Sequence, residues 1–166
     1  KKFLLGNLIV SSIVFFCILM VAVFDVAPAT NQYNLESQRA VLNIVLLFGG
    51  FGFILTFLRE VVKDMEDIEG DKAIEARSIP IILGQRSAKI ILMTLSLMLI
   101  VAMSYVSYYV YEAHKQVSIY LTALVSLPLL YFVFTLSKAA QKSDFHKLSA
   151  ILKIIMLLGI LSIIVI

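Results

Sequence analysis

Leu58-Arg59-Glu60-Val61-Val62-Lys63-Asp64-Met65-Glu66-Asp67-Ile68-Glu69-Gly70-Asp71 is the most acidic stretch of an otherwise apolar chain. Seven of the eleven acidic residues fall between Glu60 and Glu75. On a helix turning by about 100° per residue, Glu60, Asp64, Asp67 and Asp71 lie within about 60° of one another, while Glu66 and Glu69 point elsewhere. Carboxylates on one stripe repel each other unless cations sit among them. Hard oxygen ligands in such a stripe suit Mg²⁺, which usually takes one or two carboxylates and shares its other positions with water and phosphate. The same residues are also compatible with a solvated helix whose charge is partly neutralised by Arg59, Lys63 and Lys72. An EF-hand loop is excluded: with Gly70 at its sixth position the first ligand would be Met65. The signature of the CDP-alcohol phosphotransferases fails as well, because Asp67 and Gly70 are separated and Ala76-Arg77 lies too far on.

Outward from this stretch, the composition decides the class. The chain has 166 residues, is 61% hydrophobic, lacks Trp and has a mean hydropathy of +0.99. These are properties of an integral membrane protein. A net charge of +3 is no argument for nucleic acid, and the basic residues are better read as topology signals. Cys17, the single cysteine, cannot form an internal disulfide.

Five apolar runs are long enough to span: Phe3–Phe24, Ala40–Leu58, Ile90–Tyr111, Ile119–Leu136 and Leu148–Ile166. The first is followed by Ala27-Pro28-Ala29, but it is too long for a signal h-region of about 7–15 residues. Asn7 within it reads as an interhelical hydrogen-bonding residue. In the second run, Gly49-Gly50-Phe51-Gly52 lets neighbouring backbones approach closely. The acidic stretch continues that helix out of the bilayer, with Gly70 as the expected break. A polar connection is expected over Asp25–Arg39 and a loop over Lys72–Lys89. Tyr105, Tyr108, Tyr109 and Tyr111 read as an interfacial aromatic belt. His114 reads as solvated, Pro128 as a tolerated kink and Lys153 as a snorkelling residue. The whole of 1–166 therefore reads as one all-α, polytopic transmembrane helix bundle, with a motif loop over 59–89.

Basic residues in or beside the connections number 2, 1, 6, 1 and 4 in chain order. By the positive-inside rule this alternation puts the motif loop in the cytoplasm and the C-terminus outside, in a cell (inner) membrane.

At Arg59–Gly84 the chain resembles a known family. Arg59-Glu60-x-x-Lys63-Asp64-x-x-Asp67-x-Glu69-Gly70-Asp71, then Arg77-Ser78-Ile79-Pro80 and Leu83-Gly84, resembles the second aspartate-rich motif of the UbiA superfamily of intramembrane prenyltransferases. The resemblance implies helices five to nine of a nine-helix enzyme that transfers a prenyl group from a prenyl diphosphate to an aromatic or polar acceptor, using Mg²⁺. Asp67 and Asp71 match the catalytic Asp-x-x-x-Asp core. Asp64 extends it by one turn, which makes Asp64, Asp67 and Asp71 the implied metal carboxylates. Lys63, Arg59 and Arg77 are the implied diphosphate contacts. The Asp-x-x-Asp-x-Glu-Gly-Asp form resembles enzymes acting on geranylgeranylglyceryl phosphate more than those using a quinone precursor such as 4-hydroxybenzoate.

The family's first motif, Asn-Asp-x-x-Asp-x-x-x-Asp, has no match here, and the chain begins at Lys1 without a Met. The expected partners are therefore a prenyl diphosphate, membrane lipid and the N-terminal helices of the same enzyme, without which turnover is not expected. The rival class is a transporter or channel fragment whose carboxylates bind a permeating cation. Such a protein would carry its acids near mid-bilayer, and no expected span interior contains Asp or Glu. A non-catalytic membrane subunit would explain the spans and leave the clustered acids without a role.

Overall fold

The computed structural model describes residues 4–165, whose regular structure is all helical, with no strand among them. Five helices are long and apolar enough to cross a membrane: α1 (Leu5–Ala29), α2 (Leu35–Glu66), α4 (Ile79–Val110), α5 (Lys115–Lys138) and α6 (Lys142–Ile164). A short helix, α3 (Ile68–Ala73), lies between α2 and α4. The expected span limits Phe3 and Ile166, and the Lys1-Lys2 pair, lie outside the described residues.

Short connections make successive long helices run back and forth, which brings the end of α2 and the starts of α4 and α6 to one end of the bundle. In the middle stands α2, with α1 against one side and α4 and α6 against others, while α5 closes the group by packing on α4 and α6. Leu55, Leu58, Val61 and Val62 on α2 are fully buried. They meet a core that also holds Leu92 of α4, Phe132 and Leu136 of α5, and Leu148 and Leu152 of α6. Apolar residues that face outward, such as Phe16, Met98, Val101, Phe134 and Leu157, are those a lipid solvent would cover.

Each proline is handled by a local device. Pro80 sits in the first turn of α4, where its missing N–H has no partner to lose. Pro28 and Pro128 each lie just beyond a π-helical turn, Ala22–Val26 in α1 and Leu121–Ser126 in α5. The wider i→i+5 turn gives the pyrrolidine ring room and lets the helix continue. Hence α1 runs to Ala29 and the expected connection over Asp25–Arg39 shrinks to residues 30–34.

The expected loop over Lys72–Lys89 is likewise mostly helical. Ser78 is extended (φ −85°, ψ 161°) and, with Pro80 at the start, opens α4 at Ile79. Gly84 kinks the helix with φ 81° and ψ 156°, a conformation that requires glycine.

Small residues set the closest contacts. A Cβ at Gly49 would meet the Phe15 ring at 3.0 Å, and one at Gly52 would meet Val14 at 3.2 Å, so α1 rides on the glycine face of α2. A Cβ at Gly159 of α6 would run into the Phe51 ring. Gly159→Ala should therefore lower stability by about 1–3 kcal/mol through overpacking. Adding Phe51→Leu should recover much of that loss, as read by denaturation in mixed micelles; an unaffected Gly159→Ala protein would contradict this packing.

Candidate active site

The motif sits where α2 leaves the apolar core. Helix α2 ends at Glu66, because Asp67 adopts φ −112° and ψ 30° while its N–H still bonds the Lys63 carbonyl at 3.0 Å. Helix α3 starts one residue later. The break is thus at Asp67, not at Gly70, and the expected single stripe of Glu60, Asp64, Asp67 and Asp71 is divided.

Each acid then has its own setting. Glu60 accepts from Arg59 at 3.0 Å and lies 3.9 Å from Lys63 Nζ. Asp64 is buried at 3% exposure, and its Oδ2 accepts from the Asn7 side-chain amide of α1 at 2.8 Å. Asp67 is exposed, with Oδ1 3.9 Å from Lys142 Nζ. Asp71 is buried at 4% exposure. Its backbone is fixed by the way α3 ends: Ala76 N–H bonds the Asp71 carbonyl at 2.8 Å and Glu75 N–H bonds that of Lys72 at 3.2 Å. This is a Schellman arrangement, with Glu75 at φ 50° in the place glycine usually takes.

Gly70 has no positive φ, so its conformational freedom is not used. Its lack of a side chain is: a Cβ there would lie 2.7 Å from Asp67 Oδ1 and 3.0 Å from Oδ2. The Asp67 carboxylate folds back over the first turn of α3, into space that glycine leaves open.

Of the expected phosphate-binding residues, Arg59 and Lys63 are brought together on Glu60, whereas Arg77 is exposed on the link between α3 and α4. Three further residues join the motif from distant positions. Asn7 comes from α1; His146 Nδ1 lies 2.9 Å from Glu66 Oε1; and Lys142 faces Asp67, both of the latter from the start of α6. The start of α6 is held by a capping box between Gln141 and Asp144. The sequence signal for these two was topological only, since the basic alternation places Lys138–Lys147 on the motif's side.

Among the described residues, no three His, Cys, Asp or Glu side chains form a closed metal-binding group. The donors present still fit a hard cation such as Mg²⁺, which needs only one or two carboxylates when phosphate and water complete its shell. Away from the motif, an apolar cavity of about 210 Å³ opens between α2, α4, α5 and α6, lined by Phe48, Phe51, Val106, Leu121 and Gly159. It lies about 20 Å along α2 from Asp64, at 1.5 Å per residue.

Comparison with known proteins gives the family. The model of the UbiA prenyltransferase family matches residues 1–160. The digeranylgeranylglyceryl phosphate synthase of Methanosphaera stadtmanae is 31% identical over 121 residues, which are 73% of this chain and 44% of that protein. Those of Methanothermobacter thermautotrophicus and Pyrococcus furiosus are 42% identical over 64 residues (39% of this chain, 22% of that protein) and 56% over 39 (24% and 14%). The chain thus spans less than half the length of these curated relatives, and no solved structure matches. With nearly the whole sequence covered by the family model, the chain belongs to the UbiA prenyltransferase family.

Proposed function

We propose that this chain supplies the diphosphate-binding pole of a membrane enzyme that transfers a prenyl group from a prenyl diphosphate to a glyceryl-phosphate type acceptor. The observation that carries this reading is the break at Asp67, which puts Asp64, Asp67 and Asp71 at the mouth of an apolar bundle within a family-matched motif. The acceptor class rests on the names of these three relatives, each a digeranylgeranylglyceryl phosphate synthase.

Prenyltransferases of this family are generally metal-dependent. Asp67 and Asp71, with Asp64 in support, would hold Mg²⁺, which when bound would supply positive charge to offset that of the diphosphate leaving group. Arg59, Lys63 and Arg77 would act as donors to the phosphate oxygens. Glu60 already faces the first two and offsets part of their charge toward a substrate. The surrounding spans exclude water, which would otherwise trap the allylic cation. The apolar cavity offers room for hydrocarbon distant from the charged end. A prenyl diphosphate carries roughly three negative charges, and carboxylates on one side support metal from that side only. The opposing pole would come from the family's first aspartate-rich motif. We place the motif end of the bundle in the cytoplasm, on the strength of the 2, 1, 6, 1, 4 alternation of basic residues.

In the full-length protein, Asp67→Asn and Asp71→Asn should each abolish Mg²⁺-dependent prenyl transfer without altering membrane insertion. Near-normal activity in either variant would overturn this assignment. Gly70→Ala separates function from folding. Alanine favours a helix by about 1 kcal/mol over glycine. The atom it displaces is the mobile end of the Asp67 side chain. The variant should therefore be at least as stable as the parent yet lose about tenfold in activity, the scale of one misplaced charge-stabilising group. Unchanged activity would mean that the position of the Asp67 carboxylate is unimportant. For sidedness, Lys72→Cys and Lys115→Cys in a Cys17→Ser background should label from opposite faces of sealed vesicles, with Lys72→Cys reached from the cytoplasmic face; labelling from one face would overturn the topology.

A further inference from the structure

We propose that Asn7 is a positioning residue for the motif: its amide, mounted on a separate helix, sets the orientation of the Asp64 carboxylate. This inference rests on the reading of Asp64 as a metal-supporting group. Asn7 and Asp64 are 8% and 3% exposed, and their side chains meet at 2.8 Å across 57 residues of sequence.

The pattern of burial in α1 argues that this contact has a purpose. Between Leu5 and Val21, the buried residues of the helix are Asn7 and Ser11, both polar, whereas Leu5, Ile9 and Val10 beside them face outward. Ser11 in turn donates to the Asn7 carbonyl at 2.7 Å, tying down the turn that carries the amide. A buried polar face on a membrane helix is unfavourable unless it has partners and a role.

Helix association has a second source. Gly49 and Gly52 receive Phe15, Val14 and Ile18 farther along α1. What Asn7 adds is chemical. Its N–H holds Oδ2 in a fixed direction and so constrains the plane of the carboxylate. A neutral donor does this while contributing no net charge of its own. A lysine in its place would orient the carboxylate and also compete with a cation for it.

The test uses the full-length protein in detergent. The readout is the Mg²⁺ concentration that gives half-maximal binding of geranylgeranyl thiodiphosphate, an analogue that does not react. Asn7→Leu should raise this midpoint about tenfold, the scale of one hydrogen bond to a charged group. Asp64→Asn should raise it at least as much. The double variant should match Asp64→Asn alone, because a residue acting through Asp64 has nothing left to orient. If Asn7→Leu does not fold, Asn7→Ser, too short to reach Asp64, should give the same rise; failure of both to fold would make Asn7 a structural residue and overturn the inference. A raised midpoint for Asp64→Asn with none for Asn7→Leu, or additive shifts in the double variant, would overturn it while leaving the role of Asp64 intact. No change on Asp64→Asn would overturn both.

Discussion

A backbone that crosses hydrocarbon finds no water for its N–H and C=O groups and must satisfy them within itself. Most of this molecule follows from that constraint. Pro28 and Pro128, which lack a donor, are each accommodated next to a π turn that allows the helix to proceed. The kink at Gly84, the break at Asp67 and the non-helical links fall near the ends of the long helices, where water can serve the freed groups. Charged residues collect at the same places, and at the end of α2 the acidic motif stands beside the apolar core.

The spans and their packing were legible because they depend on composition and on short-range rules. Apolar runs of sufficient length became helices, the Gly49–Gly52 stretch became the α1–α2 contact, and Asn7 became an interhelical hydrogen-bonding residue. The motif's detailed geometry was less legible. The stripe of four acids assumed an unbroken helix, and one residue with ψ near 30° at Asp67 divides it. Gly70 was the expected break because glycine is a poor helix former, yet a carboxylate packed over the glycine makes smallness, not flexibility, the property used. Ser78-Ile79-Pro80 is a helix-start signal that the expected loop overlooked. His146 and Lys142 reach the motif through tertiary packing, which spacing along the chain does not encode.

Repulsion gives a physical reason for the break itself. Like charges four residues apart each weaken an exposed helix by a few tenths of a kcal/mol, and by more as water is removed. A continuous helix would have added these terms along one face. In the observed arrangement Glu60 is met by Arg59 and Lys63, Glu66 by His146, and Asp67 turns outward near Lys142. The exposed pairs are screened by solvent and add little stability. The part-buried Arg59–Glu60 pair, with Lys63 beside it, offsets charge where the helix leaves the core.

The motif is therefore less local than its sequence suggests. Its fourteen residues from Leu58 to Asp71 are contiguous, but their geometry is set from α1 by Asn7, from α6 by Lys142 and His146, and from the link before α4 by the N–H of Ala76. Helix α6 also packs directly on α2, with Phe51 seated on Gly159, so the helix that presents His146 is held in register by a contact deep in the bundle. A peptide of the motif alone would keep the charges and lose these constraints, and its carboxylates would relax apart under their own repulsion. The acids keep this arrangement because two helices remote in sequence, α1 and α6, converge on the end of a third.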